Sequence, residues 1–113
     1  MKFTLLLHDD ETRWLSMSDA EQEAVVGEHM AYSEALEASG AFVSGEPLDP
    51  AATSKIVTTS SVEDGPYADS KEQLGGFYVI ETATLEEALD WARKCPAAKT
   101  GKVEVRPVPD YGG

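Results

Sequence analysis

His29 is the residue of this chain best suited to moving a proton. Imidazole titrates near neutrality, and partial burial tunes it further. Val25, His29, Tyr32 and Leu36 recur at spacings of four, three and four, so on a helix they share one face. The histidine therefore points at whatever that helix covers. Two readings follow. In one, His29 is a core-facing side chain with hydrogen-bonded nitrogens. In the other it is a general acid or base, with a carboxylate from the loop after the first strand, Asp9 or Asp10, as its partner. From the pattern alone the core reading is the simpler.

The other chemistry-bearing residues point less sharply. His8-Asp9-Asp10-Glu11 contains metal-ligand types, yet a structural metal needs about four convergent ligands, and no spacing such as HxxxH or CxxC recurs. A solvated acidic loop is the plainer reading, and neither metal nor cofactor is expected. Arg13 and Arg106 are suited to an anionic substrate, but so acidic a chain offers both of them ordinary ion pairs. Cys95 has no base near it in sequence, so burial at a helix end is expected. Trp91 lies off its helix's apolar stripe, as an edge-packing residue or a dimer contact. Phosphate loops, dinucleotide fingerprints and Gly-x-Ser-x-Gly are absent from the sequence.

These residues need elements to position them. Phe3, Leu5 and Leu7 alternate with Thr4, Leu6 and His8, which predicts a strand over Lys2–His8 with leucines on both faces. Asp9-Asp10-Glu11 then opens a loop. Ser18 with Glu21 is a capping box, and the helix it starts runs to Ser39, where Gly40 supplies a left-handed stop. Ala41–Gly45 and Ser54–Ser60 read as strands separated by Pro47 and Pro50, and Asp64-Gly65-Pro66 as a turn in which Gly65 offers a positive φ. Gly75-Gly76 opens a strand over Phe77–Glu81. Thr84 with Glu87 caps a second helix, with Leu85, Ala88, Leu89 and Ala92 as its stripe and Cys95-Pro96 as its end. Lys102–Arg106 is the last strand, stopped by Pro107 and Pro109 before a short frayed tail.

The order is βαββαβ with one extra short strand, a ferredoxin-like split βαβ of the α+β class. Two helices cover one face of its antiparallel sheet. The leucines on both faces of the first strand then call for a second cover, and a second copy of the chain is the cheapest source.

A length of 113 residues fits a single domain over 1–113, and one cysteine excludes an internal disulfide and suits a reducing, cytoplasmic compartment. No apolar run is long enough to span a bilayer. The net charge of −12, spread along the chain, repels nucleic acid and anionic membrane, so neither is expected as a partner.

The segment from Asp64 to Glu81 is the most distinctive stretch. Asp64-Gly65-Pro66-Tyr67, followed by Lys71-Glu72-Gln73-Leu74-Gly75-Gly76-Phe77, resembles the signature of the YCII-related, or DGPF, domain family, with Tyr67 where that motif has Phe. Leu85-Glu86-Glu87-Ala88 and the ending Val103-Glu104-Val105-Arg106-Pro107 also match, so the resemblance covers nearly the whole chain. It implies a dimeric α+β barrel, in which two ferredoxin-like sheets pack face to face. It also implies a histidine on the first helix paired with an aspartate after the first strand, positions that His29 and Asp9 or Asp10 match, and this brings the two readings of His29 level.

Two functions are compatible with that resemblance. One is lyase or isomerase chemistry on a small cyclic compound, with His29 moving the proton and Asp9 or Asp10 orienting it. Tyr32, Asp64, Tyr67 and Arg106 would then contact the substrate, and the Asp64–Gly76 loop would close the pocket. The other is a non-catalytic ligand-binding or regulatory homodimer, for example an accessory module of an extracytoplasmic-function sigma factor.

Overall fold

The computed structural model describes residues 1–110, and the end of the tail lies outside the described residues. The alternation of Phe3, Leu5 and Leu7 builds β1 (Lys2–Asp10), the inner strand on which the rest is laid. A short helix, α1 (Glu11–Leu15), leads to α2 (Asp19–Ser39). β2 (Phe42–Pro47), β3 (Lys55–Val57), β4 (Val62–Asp64) and β5 (Glu72–Glu81) follow, then α3 (Leu85–Lys94) and β6 (Lys102–Pro107). Both halves of the Ser18–Glu21 capping box are formed, and Gly40 ends α2 at φ 83°, a conformation that costs glycine nothing.

The main sheet has the order β2-β5-β1-β6, all antiparallel. With both long helices on one face, this is the ferredoxin-like arrangement. Phe3, Leu5 and Leu7 of β1 and Tyr78 and Ile80 of β5 meet Tyr32 and Leu36 of α2 and Ala88 and Ala92 of α3, with Cys95 sealed at the end of α3. Each large side chain so buried contributes about 1.5–3 kcal/mol. The opposite face carries Leu6, Phe77 and Val79, all partly exposed, beside Ser44, Glu46, Glu104 and Arg106.

Three local expectations need correction. The first strand does not stop at His8: past a bulge at Leu7/His8 its ladder continues, pairing Asp9 with Gln73 and Asp10 with Glu72. The expected acidic loop is thus the end of a strand plus α1, because Asp10 caps that helix through Thr12. The strand expected over Ser54–Ser60 is only Lys55–Val57, and it pairs with β4 in a separate two-stranded ribbon, with Asp64 as the ribbon's last residue. At Gly65 the requirement is space: its φ is not positive, but a side chain there would overlap Ser54. No helix among the described residues is long and apolar enough to cross a membrane.

Candidate functional site

α2 lays Val25, His29, Tyr32 and Leu36 toward the sheet, with Tyr32 and Leu36 buried and Val25 and His29 partly so. What His29 meets there is Tyr78 of β5. Its Nδ1 lies 3.0 Å from the Tyr78 hydroxyl, and the two rings stack at an interplanar angle of 20°. Ser33, one helical turn after His29, places its hydroxyl 3.5 Å from the same phenol oxygen. Tyr32 stands edge-on to Tyr78, with centroids 5.2 Å apart.

Tyr78 reaches this position because the strand beside it has no side chain at its cross-strand partner, Gly45. A Cβ at residue 45 would sit 2.7 Å from Tyr78 Cδ1 and 3.0 Å from the Phe77 carbonyl oxygen. That close approach leaves room for the ring beside β2.

Burial pushes the His29 pKa down from its ordinary value of 6.5; the Glu28 carboxylate opposes this and the Lys99 ammonium adds to it. Burial pushes the Tyr78 phenol up, opposed by its hydrogen bond with Ser33. At neutral pH the pair is therefore a neutral imidazole and a protonated phenol. Either the phenol donates to Nδ1, leaving a proton on Nε2, or Nδ1–H donates to the phenol oxygen, leaving Nε2 as a base. This arrangement can exchange a proton at Nε2.

The two aspartates have other partners. Asp9 Oδ2 accepts from Arg13 Nη2 at 2.6 Å and from Thr100 Oγ1 at 2.8 Å, while its Oδ1 accepts from the Asp10 amide at 2.7 Å. Asp10 Oδ1 accepts from the Thr12 amide at 3.0 Å and the Thr12 hydroxyl at 2.6 Å, bonds that hold its carboxyl below the usual range. The reason is one of register. His29 docks over Tyr78, which faces Leu5 across the ladder, and Asp9 lies four residues farther along β1. That is roughly 13 Å at the rise of a strand.

The expected substrate contacts are dispersed. Tyr32 is a core residue, 6% exposed, whose hydroxyl donates to the Trp91 carbonyl at 2.6 Å. Asp64 pairs with Lys55 at 2.5 Å on the ribbon. Tyr67 is 86% exposed on the loop after β4. Arg106 faces away from the helices, with its Nε 3.7 Å from Glu104. Sequence reasoning missed Tyr78 and Ser33. The signal for Tyr78 was its parity with Ile80 in β5, which puts both on the helix-covered face.

The family model described as the YCII-related domain matches residues 1–111. An uncharacterised protein of Rhizobium meliloti (strain 1021) is 36% identical over 98% of this chain and 94% of its own length. Among solved structures, 5-chloro-2-hydroxyhydroquinone dehydrochlorinase of Burkholderia phenoliruptrix AC1100, in complex with 2,5-dihydroxybenzoquinone, is similar with a TM-score of 0.55 and 20% identity. That match covers 96% of this chain and 94% of the other, and it shows the fold.

Proposed function

We propose, for a chain that belongs to the YCII-related domain family, acid–base chemistry on a small organic compound, with His29 exchanging the proton. The observation that carries this reading is the 3.0 Å contact between His29 Nδ1 and the Tyr78 hydroxyl in a half-buried setting. Tyr78 takes the orienting role that sequence reasoning gave to Asp9 or Asp10, and Ser33 supports Tyr78. The reaction class is lyase or isomerase. In an elimination, Nε2 takes a proton from the substrate, the freed electron pair closes a double bond, and the leaving group departs with its own pair. The named activity of the dehydrochlorinase with the similar fold is of this kind. Of the stretch expected to close the pocket, only residues 65–71 lie outside the strands, with Tyr67 exposed on them, and Arg106 lies on the wrong face to serve His29. The working unit is a homodimer joined through the helix-free face, where Leu6, Phe77 and Val79 are partly exposed. The free, buried Cys95 suits a cytoplasmic setting.

The test uses 2,5-dihydroxybenzoquinone as probe, with imidazole resonances followed by NMR. Saturable shifts at His29 are expected, altered in Tyr78→Phe. Absence of any effect at His29, with the fold intact, sinks the reading.

A second reading is a non-catalytic ligand-binding or regulatory module, for example one serving an extracytoplasmic-function sigma factor. It draws on one observation: His29 lines neither of two surface depressions, one beside Gly40, Thr82 and Trp91, the other beside His8, Lys102 and Glu104. Ligand-induced shifts confined to either depression would favour it.

A further inference from the structure

One end of the cleft between α2 and the sheet is crossed by α1. That short helix follows β1 directly, with Asp10 as its cap. Gln22 of α2 lies on the face that carries Val25 and His29, and its side-chain amide donates to the Trp14 carbonyl of α1 at 3.0 Å. Glu11 Oε2 accepts from the Ala51 amide, in the connection after β2, at 2.8 Å. Arg13 Nη2 donates to Asp9 Oδ2 at 2.6 Å and to Thr100 Oγ1, in the turn before β6, at 2.9 Å. These links strap α1 across the end of the sheet and onto α2.

Gln22 precedes His29 by two helical turns, roughly 10 Å. Beneath that interval β5 offers only backbone. Gly76 shares the parity of Tyr78, so it belongs to the helix-covered face, and it is buried although it brings no side chain. A Cβ there would stand 3.1 Å from the Glu46 carbonyl oxygen and 3.8 Å from Leu7 Cδ1.

The closed position of α1 is lightly held. The helix buries no side chain, so it has few apolar contacts to lose on moving. Its one ion pair joins side chains that are 40% and 29% exposed. Arg13 Nε is buried without an acceptor among the described residues, a cost that hydration on opening would remove.

We propose that α1 is a lid on the cleft between α2 and the sheet, latched by the Arg13–Asp9 and Gln22–Trp14 contacts, and that its opening admits a small ligand to His29. This rests on the reading of His29 as the working group.

The test needs no substrate. Diethyl pyrocarbonate acylates accessible neutral imidazole, and the chain's two histidines supply their own comparison, because His8 lies on the helix-free face beside Glu104. Arg13→Gln and Gln22→Ala each remove one latch. In both variants, with the fold checked by circular dichroism, His29 should react about fivefold faster and His8 at its former rate. Association and dissociation of 2,5-dihydroxybenzoquinone, read from NMR line shapes at His29, should quicken by that same factor and leave Kd unchanged. If both folded variants leave the acylation rate of His29 where it was, the lid is overturned, whatever the quinone does. An altered Kd with an unaltered association rate also overturns it. If the acylation rate rises and the quinone does not bind, the lid stands and the acid–base reading of His29 fails.

Discussion

Gly45→Ala tests whether the site is built across β2 and β5 as described. The added Cβ would meet Tyr78 Cδ1 at 2.7 Å, and the Phe77 carbonyl oxygen at 3.0 Å closes the other direction. Ordinary contacts begin near 3.4 Å, so the ring must retreat by more than half an ångström. It has little freedom to do so, being 7% exposed, hydrogen-bonded to His29 and crossed by the Tyr32 ring. Overpacking of this kind costs about 1–3 kcal/mol. The loss of chain entropy in the unfolded state offsets roughly 0.4–1 kcal/mol of that. The net destabilisation should be about 1–2 kcal/mol, a drop of about 4–8 °C in Tm for a domain this size. Thermal unfolding followed by circular dichroism measures it, and imidazole NMR should show His29 displaced in the same variant. Removing the obstructing ring with Tyr78→Leu should make the Gly45→Ala penalty largely disappear in a double-mutant cycle. Gly45→Ala with undiminished stability and an unmoved His29 signal would refute the packing argument.

Other outcomes follow from the same structure. Because the His29 pKa is lowered in the fold, the unfolded chain takes up that proton first as pH falls. The corresponding stability is whole above about pH 6.5 and is lost from there down to the folded pKa; His29→Gln should flatten this part of the stability–pH curve from denaturant titrations. Burial lifts the Cys95 thiol to about 11, so a thiol reagent at pH 8 should find no reactive group in the native chain and one after denaturation. Ser18→Ala removes the acceptor of the Glu21 amide and should cost about 1 kcal/mol by urea unfolding, with His29 unaffected.

The fold was legible because its signals are local. Alternation in Phe3, Leu5 and Leu7, the Ser18–Glu21 capping box and the glycine stop at Gly40 each act over a few residues, and each formed. The failure between Ser54 and Ser60 has the opposite cause. A short β-rich run can pair with the sheet or with its own neighbour, and here Lys55–Val57 paired with Val62–Asp64. The partners of the histidines were less legible still. A helical wheel gives the direction of His29, but the group it meets is 49 residues away and depends on strand register. His8 and Glu104 are 96 residues apart. Asp9 and Asp10 drew attention because they lie near in sequence; the continuation of β1 through Asp10 carries them past the site.

The identity of the partner also decides what each histidine can do. A carboxylate beside an imidazole favours the protonated ring and opposes the effect of burial. A phenol whose own pKa is raised stays neutral and supplies no such charge, so at His29 burial prevails and the pKa falls. Such a ring is unprotonated at neutral pH and ready to accept a proton, and it gives that proton up easily afterwards. On the other face, His8 Nε2 lies 3.0 Å from Glu104 Oε1, so this imidazole has a carboxylate and not a phenol beside it. One sheet therefore gives its two imidazoles different neighbours, a phenol under α2 and a carboxylate on the helix-free face. The difference lies in whether β5 or β6 supplies the neighbouring side chain.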